Sequence, residues 1–189
     1  MSTETGRLTD LASILAPTRH LFLSAHYDDI ALSCGGIAAL LSGEGRQPEV
    51  ALIFGSPPDP AVPLTSFAEQ LHAEWGLDSS QVIASRRAEE AVASVILGTT
   101  DIFLPFRDAI YRGERYLSND GIFGEVAADE AALSEAIIEA LRLGNDERTT
   151  TRLYVPLAIG NHVDHQITFA AGVTMAKAGW SVWFYEDLP

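Results

Sequence analysis

The 189-residue chain carries 47% apolar and 20% charged residues, enough for one well-buried core and too little for two comfortable domains. Its 12 Lys and Arg against 26 Asp and Glu leave a formal charge of −14, a field that repels phosphate backbones and anionic membranes and so argues against nucleic acid or a membrane as partner. The only cysteine, Cys34, rules out an internal disulfide and a Cys-rich zinc knuckle, so a metal would have to be held by His and carboxylates.

Residues 1–19, MSTETGRLTDLASILAPTR, lack the basic start and apolar stretch of a secretory signal. They are expected to be a flexible or peripheral segment of one domain spanning 1–189. No run is long enough to cross a membrane, and a soluble cytoplasmic protein is the expectation; association into a homo-oligomer is left open. HLFLSA, from His20, reads as a buried strand; a helix follows from Ile30 to Leu41, stopped by SGEG; PEVALIFG, from Pro48, is a second strand. Proline content makes Ser56–Pro63 a loop. Apolar spacing near 3.6 predicts helices over Ser66–Gly76 and Ser85–Gly98, the latter ending in a glycine suited to a C-cap. TDIFLPF is a third strand, and the irregular stretch RDAIYRGERYLSNDGIFGEV leads to a helix from Glu130 to Leu143. TRLYVPL is the fourth strand, AIGNHVDH a loop, QITFAAGVTMAKAG a small-residue helix and WSVWFYED the last strand.

Alternating strands and helices predict an α/β fold, a mostly parallel sheet covered on both faces. Right-handed crossovers place every strand's C-terminal end on one edge, where ligands of such sheets bind. Three polar segments share that edge: His26, Asp28 and Asp29 after the first strand, Phe106–Arg112 after the third, and His162–His165 after the fourth.

His26 and Asp29 are three apart where strand becomes helix, and His162 and His165 repeat the spacing at another helix start. Two histidines and a carboxylate form a common catalytic zinc set, here His26, Asp29 and one histidine of the second pair. A cation makes nearby water acidic, which gives an unligated carboxylate such as Asp28 a proton to take and later deliver. The remaining histidine could donate to a tetrahedral oxyanion, with Asp164 holding its ring and favouring its charged form. The bland readings are that one Asp caps a helix and that HVDH is polar surface. A cap needs only one of the two aspartates, and both motifs fall on the same edge. Gly35 and Gly36, inside the predicted helix, cost about 1 kcal/mol each relative to Ala and suggest close packing of helix on strand. No phosphate-binding glycine motif is present, so no nucleotide cofactor is expected.

With AHYDD followed by ALSCGG, RRAEEAVASVILG and HVDH in this order, the chain resembles the PIG-L, or LmbE-like, zinc-dependent N-deacetylases of N-acetylglucosaminyl conjugates. The resemblance covers most of the chain and implies a Rossmann-like single domain. It implies that His26, Asp29 and His165 bind Zn2+ or another divalent cation and that Asp28 is the general base. His162 would be the oxyanion-stabilising or acid residue, supported by Asp164. Arg86 would contact substrate hydroxyls, with Asp108 and Arg112 as further substrate contacts. The implied substrate is a small aminosugar conjugate losing an N-acetyl or short N-acyl group.

The family's HPDDE is HYDDI here, with Tyr27 for proline and Ile30 for the acidic residue. Tyr27 is expected to alter the strand-to-helix turn and narrow the sugar pocket. The chain stops at WFYEDLP, where family members commonly run on, so part of the pocket is expected to be missing or supplied otherwise. Two other readings compete: a catalytically decayed binding or regulatory module, and a metal-dependent esterase or phosphohydrolase. The acidic charge and lack of clustered basic residues weigh against phosphate.

Overall fold

Five strands, β1 (Arg19–Ser24), β2 (Glu49–Leu52), β3 (Thr100–Phe103), β4 (Thr151–Pro156) and β5 (Ser181–Tyr185), form one sheet with every pairing parallel, in the order β3-β2-β1-β4-β5. The computed structural model describes residues 11–16, 19–77 and 81–187. The central strands read as continuous apolar runs because both faces are covered. Leu21, Leu23, Leu153 and Val155 enter one core, while Phe22 and Tyr154, one residue out of phase, enter the other.

Helices α1 (Leu11–Leu15), α2 (Asp29–Ser33), α3 (Gly35–Gly43), α4 (Ser66–Glu74), α5 (Val82–Leu97), α6 (Asn119–Ile122), α7 (Leu133–Ala140) and α8 (Val163–Lys177) complete the fold. Ile137 of α7 and Ile167, Ala171 and Met175 of α8 fill the first core. Ile30, Cys34, Ala38 and Leu41 fill the second. Burial of such side chains contributes about 1.5–3 kcal/mol each for the larger ones. Of the N-terminal segment, residues 1–10, 17 and 18 lie outside the described residues. Its described part docks: Ile14 and Leu15 pack on the second core, and α1's last carbonyls accept from Arg152 (Ser13 O, 2.7 Å) and Arg46 (Leu15 O, 2.9 Å).

Several boundaries differ from the sequence reading for local reasons. The helix expected over Ile30–Leu41 is two helices, broken at Cys34 (φ −140°), where two glycines follow and supply little helix propensity. The strand expected over TDIFLPF stops at Phe103, before Pro105. Helix α7 is shorter than Glu130–Leu143, because Glu130 lies in a 3₁₀ turn (Ala128–Glu130) with its carboxylate on Arg112. Helix α8 starts at Val163, three residues early, since His162 serves as its N-cap, outside the usual Ser, Thr, Asp and Asn set.

The close packing expected at Gly35 and Gly36 is not of helix on strand. A Cβ at Gly35 would meet Leu97 of α5 at 3.3 Å, and one at Gly36 would meet nothing within 4 Å. The close helix-to-strand approach is at Gly172 of α8, where a Cβ would lie 2.5 Å from Val155 Cγ1 on β4. Val155 is fully buried and stiff at χ1, so Gly172→Ala is expected to destabilise the protein by about 1–3 kcal/mol despite the better helix propensity. Urea unfolding reads the loss, and Val155→Ala in the same chain should recover part of it; an unchanged midpoint would show that α8 shifts freely.

Candidate active site and metal centre

Adjacent strands β1 and β4 send the chain in opposite directions, to β2 and to β5, so the crevice at their C-terminal ends is the topological switch point of the sheet. The segment after β1 supplies His26, Asp28 and Asp29, and the segment after β4 supplies His162, Asp164 and His165. The loop after β3 reaches back to them, since the Ala109 N–H donates to Asp164 Oδ2 at 3.0 Å.

His26, Asp29 and His165 each offer one ligand atom within 4.8 Å of the others. Asp29 Oδ2 accepts from the His26 main-chain N–H at 2.7 Å and lies 3.6 Å from His165 Nε2. The other nitrogen of His165, Nδ1, is 2.5 Å from Asp187 Oδ2, and His26 Nε2 is 2.9 Å from Asp164 Oδ2. Each histidine thus has one ring nitrogen on a carboxylate whose side chain is fully buried. That is how metal-ligating imidazoles are oriented. The donor set of two imidazoles and a carboxylate fits a divalent cation such as zinc. Asp187 was not anticipated from sequence; its only signal is an acidic residue just past the last strand, at the same sheet edge.

A second group, His26, Asp108, His162 and Asp164, also converges within 4.8 Å. Its Asp164 is already engaged by His26, by Ala109 N–H and by Arg112 Nη1 at 2.6 Å, so a cation there would compete with three existing partners.

The charges set the protonation pattern. Burial works against a charged His26, yet Asp108, Asp164 and Asp29 outweigh it and raise its pKa to about 9. Burial opposes the Asp164 carboxylate too, but the His26 hydrogen bond and the Arg112 charge hold it well below the usual range. His162 is pushed down to about 3, first by burial and then by cationic His26. Its Nδ1 accepts the Asp164 main-chain N–H at 3.2 Å, which places the ring proton on Nε2. The sequence reading, with Asp164 holding a charged His162 ring, is therefore corrected: the Asp164 carboxylate serves His26 and Arg112, and only its main-chain N–H reaches His162.

Asp28 precedes α2 in the left-handed region, φ 70°, with its N–H donated to Glu90 Oε2 at 2.7 Å. Burial raises its carboxyl above the ordinary value, with Arg86 partly offsetting this. It lines a cleft of about 330 Å³ with Trp75, Leu77, Arg86 and Glu89. The Arg86 guanidinium lies 5.5 Å from the Tyr27 ring centroid and 5.7 Å from that of Trp75. Tyr27 is buried with its hydroxyl donated to Gly55 O at 2.8 Å, and Ile30 is in the second core, so neither departure from the HPDDE pattern enters the donor set. Asp108 Oδ2 is 3.7 Å from His26 Nε2, and its Oδ1 accepts from Ile110 N–H.

The Arg112 guanidinium, expected at a substrate, is held by protein acceptors. It donates twice to Glu130 (2.7 and 3.0 Å), once to Asp164 and once to the Arg107 carbonyl (2.8 Å). The two buried carboxylates require that cation, which makes Arg112 a support for Asp164. Glu130, also missed in the sequence, accepts from the Tyr116 hydroxyl as well.

The pattern of the PIG-L family, described as GlcNAc-PI de-N-acetylase, matches residues 21–176. The chain is 28% identical over 183 residues to a 2'-N-acetylparomamine deacetylase of Niallia circulans, covering 89% of this chain and 66% of that protein. It is 34% identical over 181 residues to a 2'-N-acetylparomamine deacetylase of Streptomyces fradiae, covering 90% of this chain and 57% of that protein. The chain thus spans less than two thirds of either relative's length. It also superposes on the crystal structure of the zinc-inhibited form of a teicoplanin deacetylase with a TM-score of 0.74, at 28% identity, over 91% of this chain and 68% of that one.

Proposed function

The chain belongs to the PIG-L family, and from that membership we propose that it is a metal-dependent hydrolase removing an N-acetyl or short N-acyl group from a small aminosugar conjugate. The observation that carries the reading is the convergence of His26, Asp29 and His165 beside the unligated Asp28. The relatives that act on N-acetylparomamine support an aminosugar, of which an N-acetylglucosaminyl unit is the simplest.

His26, Asp29 and His165 would hold the cation; with its Nε2 on Asp164, His26 would present Nδ1 on giving up the extra proton it carries without metal, and with its Nδ1 on Asp187, His165 presents Nε2. A cation bound there supplies a Lewis acid that polarises the amide carbonyl and acidifies water. Asp28 takes a proton from the attacking water at its carboxylate as the new C–O bond forms. His162, neutral with its proton on Nε2, donates a hydrogen bond to the developing oxyanion. A neutral ring whose Nδ1 is already occupied by a main-chain N–H is a hydrogen-bond donor rather than an acid. Asp28 therefore also returns the proton to the leaving nitrogen as the C–N bond breaks, giving a carboxylate and a free amine. Arg86 and the cleft it shares with Asp28 would seat the sugar.

The test is release of acetate and free amine from a panel of N-acetyl, O-acetyl and phosphoryl sugars. Zinc is titrated from substoichiometric to excess, because a relative exists in a zinc-inhibited form, and a chelator-treated sample runs alongside. The expected result is N-acetyl hydrolysis that needs about one cation per chain and disappears with chelator. Preference for O-acetyl substrates would make the protein an esterase, and absence of both metal and turnover would make it a binding module.

A further inference from the structure

The carboxylate past the end of β5 touches both the β4-to-α8 loop and the first turn of α8. Asp187 is 2% exposed. Its Oδ2 lies 2.5 Å from His165 Nδ1, and its Oδ1 accepts the Ile159 main-chain N–H at 3.1 Å. Ile159 sits in the loop that ends at His162, and this loop holds three residues in the left-handed region: Ala158 (φ 61°), Gly160 (φ 88°) and Asn161 (φ 67°). For Ala158 that conformation has a cost, and it persists only where surrounding contacts determine it. The hydrogen bonds that hold it are Leu157 N–H to Tyr185 O (2.9 Å), Ile159 N–H to Asp187, Asn161 N–H to Ala158 O (3.1 Å), Gln166 Nε2 to Asn161 O (2.7 Å), and the Asn161 amide to the carbonyls of Phe123 and Gly124. Two of them come from the end of β5.

We propose that Asp187 is a positioning residue of the metal centre, fixing which nitrogen of His165 faces the cation while the same carboxylate holds the loop that carries His162. Accepting a hydrogen bond from Nδ1–H leaves the His165 lone pair on Nε2, the atom 3.6 Å from Asp29 Oδ2. Without Asp187 the ring is free to carry its proton on Nε2 instead, which removes the donor from the shared point. One side chain thereby couples the ligand to the loop. The inference rests on the metal-binding reading above, and its test separates the two.

The experiment compares wild type, Asp187→Asn and Asp187→Ala as full chains. In metal-free protein, ¹⁵N shifts of the His165 imidazole report the tautomer. Competition with a chromophoric chelator reports zinc affinity, and amide exchange at Ile159 reports the loop. Wild type is expected to hold the Nδ1–H form. Asn, which keeps an acceptor for Ile159 but loses the charge, is expected to mix the tautomers and weaken zinc about 10-fold. Ala is expected to weaken it up to about 100-fold and to accelerate Ile159 exchange. Unchanged tautomer and affinity in both variants would overturn the proposal, and should Ala not fold, Asn alone decides it. Wild type that binds no zinc would defeat the metal reading, yet the tautomer would still decide the role of Asp187.

Discussion

Asp28→Asn is expected to lower turnover about 10³-fold, the scale of a lost general base, while zinc content and affinity stay at the wild-type level. The separation follows from geometry. Asp29 and the two histidines form the proposed donor set, and Asp28, one residue earlier, opens into the cleft with Arg86. Asn tolerates the left-handed backbone that position 28 requires, φ 70°, and keeps the N–H that Glu90 accepts, so the fold has no reason to change. Asp29→Asn is the contrasting variant and should lose metal along with activity. The measurement pairs steady-state kinetics with zinc determination on the same samples. Full activity in Asp28→Asn would end the role assigned to that carboxylate, and lost metal would show it to be a ligand.

What could be read from the sequence was what depends on local pattern. The apolar runs around Leu21, Val50 and Leu153 marked strands buried on both faces, and the parallel sheet then brought HYDD and HVDH to one edge by topology alone. Boundaries failed where tertiary contacts overrode propensity: His162 capping α8, Cys34 breaking the helix before two glycines, Glu130 drawn onto Arg112. The supports of the site were hidden for the same reason. Asp187 is 22 residues from His165 and Glu130 is 18 from Arg112, and no spacing rule links them; only the burial of their carboxylates shows that a partner is required. The pairing of Arg112 with Glu130 and Asp164 is equally hidden, because a lone arginine in an irregular loop gives no sign of whether it faces solvent or two buried acids.

The second large effect is expected from Arg112→Ala. That guanidinium is 11% exposed and is shared by Glu130, 6% exposed, and Asp164, fully buried, so its removal leaves Glu130 with only the more distant Arg115 (3.6 Å) and Asp164 with only His26. Breaking a buried pair in this way costs about 3–5 kcal/mol, more than the pair contributes relative to an apolar replacement. Arg112→Lys should recover only part, since an ammonium cannot bridge Glu130 bidentately and reach Asp164 as well. The pH dependence has a definite sign. Despite its burial, Asp164 is held below its ordinary pKa by His26 and Arg112, so the stability it contributes is present above the unfolded carboxylate pKa and is lost as pH falls through the folded one. Without Arg112 that folded pKa rises, and protonation relieves the poorly compensated charge. The stability gap between wild type and variant is therefore expected to be widest near neutrality and to narrow as pH falls below the ordinary carboxylate range. Urea unfolding of metal-free protein at several pH values reads this directly; a loss under about 1 kcal/mol at pH 7, the size of an exposed pair, would mean that water already shares these carboxylates and that Asp164 does not depend on Arg112 to orient His26.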